Sequence, residues 1–509
     1  MVNITFLNIT LPRDALNETL QLLNKTREGP VTVSNAPLLP LWVQNSLLTI
    51  YTALLVLSIM LILHYIYYAR HAKPLHYDPP RGASDLSLSI VIPVKNEDAD
   101  TIIKALQNLA AIPCPNAEVV ILSDDPPDRF EEIRKAVEAL GYANVKTLRR
   151  PAPVGYKGEA LNWVAERASG EVLLFLDVDS MPPPDLCARA RAVGEREILF
   201  LGWDGYAPVN TPIASLQLFL YKYLLYYVSI IGRHNAKHPI FTLGSGLVIR
   251  RGFLRKIGGF CNCTADDYDI SMKAYIHGGR VVYSPGPPVY VEVPAGYSAF
   301  KRQYARWTYN SAYVLATYLP HIFKLKMPTA HKLSVFLNIA THPLMILTTF
   351  AIMLAGVAMG YMGIILPPLH ILILQLVLFI MAALQLVYVY RLAKQDGRNF
   401  AEVAGKLAKS AALLLVLSPY LAFYVLLGLL KRRIRWHVTP KGLLGLRGGA
   451  WGLYEAATLV AFTALLIYTV YKAYSILMIN AAFLLTASLY VYLRIAAPSS
   501  RKPVENPTR

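Results

Sequence analysis

Five consecutive apolar residues, Val172 to Leu176, lie between Gly170 and Pro182 and run directly into Asp177-Val178-Asp179. A strand that is apolar at every position must be buried on both faces, as in the centre of a parallel sheet covered by helices. In open α/β sheets, ligands sit at the carboxyl ends of strands. Side chains two apart on an extended chain point the same way, so Asp177 and Asp179 are placed to converge on one cation. A hard divalent ion such as Mg²⁺ takes carboxylate oxygens and leaves positions for phosphates. The alternative is an acidic strand end that merely caps the next element.

The flanking sequence agrees with such a sheet. Apolar runs at 88–94, 118–122, 145–148 and 172–176 read as strands. They alternate with helical patterns at 99–109, 129–140 and 157–168. This alternation predicts a parallel, doubly wound α/β domain over about 86–330, entered through the Pro- and Gly-containing linker 74–85.

The rest of the chain has a different texture. Hydrophobic residues make up 55% and charged residues 16%, with a formal net charge of +18. The basic residues cluster beside long apolar segments, which favours a membrane protein over nucleic-acid binding. Residues 41–70 are apolar for long enough to span a bilayer and are followed by Arg70, His71, Lys73 and Arg81. The positive-inside rule then places the α/β domain in the cytoplasm. Residues 1–40 carry N-x-T sequons at Asn3, Asn8, Asn17 and Asn24, as expected of a segment outside the membrane. No cleavable leader and no carboxy-terminal regulatory domain are expected.

Further spans are predicted at about 335–359, 368–390, 451–472 and 474–493, with a cytoplasmic tail at 495–509. The apolar stretch 405–430 is broken by Ser418-Pro419 and flanked by basic residues on both sides, so it reads as interfacial or re-entrant. The Tyr-rich stretch 212–232 reads as a helix in the membrane interface, with a core helix as the alternative. The four cysteines, Cys114, Cys187, Cys261 and Cys263, fit no zinc spacing and are expected to be free thiols in a reducing compartment.

Several motifs follow in order. They are Ser89-Ile-Val-Ile-Pro-Val-Lys-Asn-Glu97, Ser123-Asp124-Asp125, Tyr156-Lys157-Gly158, Asp177-Val178-Asp179, Thr264-Ala265-Asp266-Asp267-Tyr268-Asp269 and Gln303-Tyr-Ala-Arg306-Trp307. Over about 90–445 the chain resembles the processive family-2 glycosyltransferases, the cellulose, chitin and hyaluronan synthases. The stretch Trp436-His437-Val438-Thr439-Pro440-Lys441-Gly442 is similar to the gating loop of cellulose synthases; an ordinary lipid-facing basic loop is the alternative. Phe241-Thr-Leu-Gly244-Ser245-Gly246 resembles their acceptor-side segment.

The resemblance implies a GT-A (Rossmann-like) domain inserted between transmembrane helices. It implies that Asp124 and Asp125 meet uridine, that Lys157 meets the diphosphate, and that Asp177 and Asp179 hold Mg²⁺ or Mn²⁺. Asp267 would be the general base, with Asp266 and Asp269 as other candidates because the usual Thr-Glu-Asp reads Ala265-Asp266-Asp267. Gln303, Arg306 and Trp307 would form the acceptor end, joined by Gly244, Ser245, Thr439 and Lys441. A single base without a covalent intermediate predicts inversion.

The function expected is a metal-dependent, inverting transfer from a UDP-sugar that elongates and translocates a β-linked polysaccharide. The expected partners are the donor, the growing polymer and membrane lipid, with homo-oligomers left open and no nucleic acid. Two rivals remain. One is a non-processive enzyme placing a single sugar on a membrane lipid; the other is a transporter with a nucleotide-binding domain.

Overall fold

The structure, a computed structural model, describes residues 2–4, 9–11, 13–32, 40–78, 86–434 and scattered positions between 454 and 493. A 31-residue helix, α1 (Leu41–His71), leads into the α/β domain. There follow β1 (Leu88–Val94), α2 (Ala99–Ala110), β2 (Ala117–Ser123), α3 (Pro127–Glu138), β3 (Val145–Arg149), α4 (Lys157–Ala165) and β4 (Val172–Phe175). Then come β5 (Glu197–Phe200), β6 (Trp203–Tyr206), the helix α5 (Pro212–Asn235), β7 (Leu247–Arg250), α6 (Asp266–Ile276), β8 (Arg280–Tyr283) and β9 (Val289–Glu292). Four long helices follow: α7 (Tyr297–Ile322), α8 (Thr329–Tyr361), α9 (Leu369–Lys394) and α10 (Phe400–Leu429).

The main sheet has seven strands in the order β8-β5-β7-β4-β1-β2-β3. Its centre is parallel, as the alternation of elements predicts, and β4 is buried throughout. The sheet is not wholly parallel, however. β7 runs antiparallel to both β4 and β5, so the domain is a mixed GT-A-like sheet. A parallel strand needs a crossover that returns the chain to the same end. Here α5 carries the chain away to the membrane helices and β7 re-enters from the far end. A separate two-stranded parallel pair, β6 and β9, lies beside the sheet.

Among the described residues, five helices are long and apolar enough to cross a membrane: Leu41–His71, Pro212–Asn235, Thr329–Met359, Leu369–Lys394 and Phe400–Leu429. The spans expected at 451–472 and 474–493 fall outside the described residues. Val31–Thr32 pairs with Ile364–Leu366, so the amino-terminal segment meets the α8–α9 turn at the end of the helices remote from the α/β domain. α5 begins with the Thr211 cap and Pro212, then widens over Leu220–Gly232 into a π-helix. The Ser229 hydroxyl donates to the Leu224 carbonyl five residues back.

Two expectations are corrected: the break at Ser418-Pro419, and with it a re-entrant 405–430, and the free cysteines. The stretch 405–430 is one unbroken helix, because Ser418 Oγ donates to the Leu415 carbonyl that Pro419 cannot serve. α10 packs along α7, where Gly428 approaches so closely that a Cβ would lie 2.6 Å from the Tyr309 carbonyl. The cysteines are not free either: Cys114 pairs with Cys187 and Cys261 with Cys263, at Cα separations of 5.5 and 5.3 Å. The fold brings the first pair together across 73 residues, a proximity that spacing does not reveal. Their use as evidence for a reducing compartment therefore falls.

Candidate active site

A cavity of about 820 Å³ opens at the carboxyl ends of β1, β2 and β4. Lys95, Asn96, Glu97 and Asp124 line one end. Lys157, Asp177, Asp179, Gly244, Asp266, Asp267, Gln303, Arg306 and Trp307 line the middle. The far end runs between α1, α5 and α8. Ten of the residues singled out in the sequence thus face one space, although they come from positions 124 to 307.

Local structure explains each placement. β4 ends at Phe175, so Asp177 and Asp179 lie on a turn, closed by the Ser180 N–H to the Asp177 carbonyl. They face the cavity because of that turn and not because of an extended strand. Ser245 lies behind it, 1% exposed, where its hydroxyl accepts from the Asp177 N–H and bonds Ser180 Oγ. It shapes the turn and does not line the cavity. Lys157 opens α4, and its ammonium donates to Asp177 Oδ1 at 2.6 Å. Gly158 lets that helix start close in, since a Cβ there would lie 2.2 Å from the Cys261 carbonyl.

The first acidic pair divides. Asp124 lines the cavity and is gripped by the Arg150 guanidinium, whose Nε donates to Oδ1 at 2.6 Å. Asp125 is 1% exposed, accepts from the Asn96 N–H and Ser123 Oγ, and lies outside the cavity. Arg150 follows β3 directly, and no motif marked it in the sequence.

Asp266 and Asp267 start α6. Thr264, just before them, is clasped to α7 by Asn310, which accepts from Thr264 Oγ1 and donates to the Thr264 carbonyl. Burial and the neighbouring Asp266 push the Asp267 carboxyl up to about 7, partly offset by the Tyr268 N–H and Lys157. Burial also raises Asp266, with Lys157 opposing and Asp177 adding to the rise. Burial alone would lower the Lys157 ammonium, but Asp177 and Asp266 outweigh it and hold it above its ordinary value. Asp269 points elsewhere: Tyr318 donates to it and Lys273 pairs with it at 2.9 Å.

Trp307 joins an aromatic wall. Its ring centroid is 6.0 Å from Trp203 and 5.9 Å from Tyr221. Tyr221 donates to Gln303 Oε1 at 3.3 Å. Trp203 and Tyr221 were not singled out in the sequence; they come from β6 and α5, and only the fold sets them beside Trp307. Thr439 and Lys441 lie outside the described residues. The chain approaches that stretch beside the cavity, however, because Tyr156 Oη donates to the Ile434 carbonyl and Tyr309 Oη to the Arg432 carbonyl.

Among the described residues no group of three His, Cys, Asp or Glu side chains forms a closed metal cage. Two carboxylates facing an open cavity suit an ion that shares its shell with substrate phosphates and water, which is how Mg²⁺ is commonly held.

Residues 172–392 match the model described as glycosyl transferase family group 2. The chain is 28% identical over 419 residues to a probable glycosyltransferase of Sulfolobus acidocaldarius, covering 78% of this chain and 86% of that protein. It is 25% identical over 255 residues to glucomannan 4-beta-mannosyltransferase 2 of Arabidopsis thaliana, covering 47% of each. Among solved structures it is similar to the mannosyltransferase PcManGT from Pyrobaculum calidifontis in complex with GDP-Man and Mn²⁺. That similarity has a TM-score of 0.48 at 19% identity, over 76% of this chain and all of the other. Residues 172–392 thus carry a family-2 glycosyltransferase match, and they fall within an α/β domain whose mixed sheet is GT-A-like.

Proposed function

We propose that the enzyme transfers a sugar from UDP, with inversion, onto a hydroxyl of a growing β-linked polysaccharide that leaves through its membrane helices. The observation that carries this reading is the continuity of one cavity. It runs from Asp124 past Asp177, Asp179 and Asp267 to the aromatic wall and on between α1, α5 and α8. A donor in the first part and an acceptor in the last would meet at Asp267.

The residues have separable tasks. Lys157 would place a point charge on the diphosphate. Asp177 and Asp179 would hold Mg²⁺ or Mn²⁺, which when bound neutralises charge on the departing nucleoside diphosphate. Asp267, with its proton affinity near neutrality, would take the acceptor proton. Trp307 offers a flat apolar face to a sugar ring, and Gln303 would fix its orientation. With one base and no nucleophile, an α-linked donor gives a β-linked product.

The helix ends nearest the α/β domain carry Arg70, Arg391 and Lys394, which supports a cytoplasmic catalytic domain and an outer amino terminus. α10, packed along α7, is read as an interfacial helix. Membranes containing the protein, incubated with labelled UDP-sugars and Mg²⁺ or Mn²⁺, would yield a polymer cut by β-specific hydrolases. Products carrying one sugar only would sink the elongation reading, and an absence of UDP release from every UDP-sugar tried would sink the donor assignment.

A further inference from the structure

The cavity holds a cation that the transfer chemistry does not use. Arg233, at the end of α5, is 4% exposed and lines the cavity between α1 and α8. One of its terminal nitrogens donates to Ser334 Oγ at 2.9 Å and lies 3.3 Å from both the Ser334 carbonyl and Tyr68 Oη. The other donates to His64 Nε2 at 3.0 Å, and the guanidinium lies 4.2 Å from the centroid of the Tyr68 ring. All these partners are neutral. Among the described residues no Asp or Glu lies within ion-pair distance of it.

An arginine stays charged in any protein setting. A buried charge is costly unless an opposite charge meets it. Here no opposite charge stands beside it among the described residues, and the guanidinium borders the open cavity. A second polar group belongs to the same cavity: Tyr65 lines it, and its Oη is buried without a hydrogen-bond partner. A guanidinium with phenol hydroxyls beside it offers the donors that bind a phosphate.

Two further observations say which phosphate. Arg233, Tyr268 and Asp267 line one cavity, and the Tyr268 phenol feels the charge of both the others. The surrounding wall is apolar and belongs to membrane-length helices, through Leu224, Leu225 and Val228 of α5 and Leu337 of α8. His64 and Tyr68 lie within roughly 10 Å along α1 of its basic end at Arg70, at 1.5 Å per residue. That is the level at which lipid phosphates meet a helix.

We propose that Arg233, with Tyr68 and Tyr65 of the same cavity, binds the phosphate of a membrane lipid that carries the acceptor glycan. This rests on the transferase reading above, not on exit of the polymer through the helices, and specifies the acceptor that receives the first sugars. The glycan would be held by its lipid phosphate while its free end reaches Asp267.

The test uses the full chain in nanodiscs with saturating UDP and Mn²⁺, so that the donor's phosphate site is filled. Labelled dodecyl phosphate is the probe, with dodecanol and inorganic phosphate as competitors. Both competitors should bind at least tenfold more weakly than dodecyl phosphate. Arg233→Gln should weaken the probe at least tenfold, and Arg233→Lys by less. Equal competition by dodecanol would mean that only the tail is read, and equal competition by inorganic phosphate would reveal a free-anion site; either overturns the proposal. So would undiminished binding to Arg233→Gln. If that variant fails to fold, the wild-type competition alone decides. UDP release by the wild type, measured separately, tests the transferase reading whichever way the binding falls.

Discussion

The ammonium of Lys157 lies 2.6 Å from Asp177 Oδ1, joining the first residue of α4 to the turn after β4. The contact spans 20 residues of sequence and fixes a positive charge beside the pair of carboxylates expected to hold the metal. Replacing Lys157 by Met removes a charge-assisted hydrogen bond, a contact of about 1.5–3 kcal/mol. The expected result is a fall in kcat/KM for UDP release of about ten- to a hundredfold. An unchanged value would remove Lys157 from the donor site.

Asp267 sets the pH dependence. Its carboxyl is pushed up to about 7 by burial and by Asp266. A base must be ionised to act, so kcat/KM should rise with pH through about 7 and level off above it. Asp267→Asn should abolish that limb and cost roughly 10²–10⁴ in rate. UDP release across pH 5.5–9 checks both.

The same shift predicts a stability effect of definite sign. A carboxyl whose folded value is raised favours the folded state below the ordinary carboxylate range, and that contribution is lost as pH rises through about 7. Asp267→Asn should therefore melt above the wild type at pH 8 and close to it near pH 4. Equal melting at both values would show that Asp267 is ordinarily solvated.

The two neighbours Asp124 and Asp125 should behave oppositely. Asp125→Ala strips the partners from the part-buried Asn96 N–H and the buried Ser123 Oγ, leaving the latter unmet at a cost of about 1–3 kcal/mol. Thermal melting should report it. Asp124→Asn should show mainly as a raised donor KM, because Asp124 lines the cavity. Kinetics and melting on the two variants separate the cases.

The Cys114–Cys187 bond closes a loop across 73 residues between the end of α2 and the region after β4. A bond across so long a loop contributes about 2–4 kcal/mol. Reductant should lower the melting temperature of the wild type and leave a Cys114→Ala variant unmoved in that respect. Identical responses would mean that the bond is not formed in solution.

Much of this enzyme is legible in its sequence. The unbroken apolar run at 172–176 forces burial on both faces, and with the strand-helix alternation it fixes the central parallel strands and their order of appearance. The positions of the acidic motifs at strand ends follow from the same rule. Apolar length fixes the long helices, because in lipid only helices and closed barrels satisfy the backbone, and these runs far exceed the length of a barrel strand. What local pattern cannot report is which distant groups meet. The antiparallel β7, the Arg150 clasp on Asp124 and the aromatic wall of Trp203, Tyr221 and Trp307 are all contacts between remote segments. Pro419 reads as a break, yet Ser418 and packing on α7 carry the helix through it. The division between Asp124 at the cavity and Asp125 behind it, and the solitary charge of Arg233, were likewise decided only when the chain closed on itself. Burial and electrostatic pairing are properties of neighbours in space, and those neighbours exist only in the folded molecule.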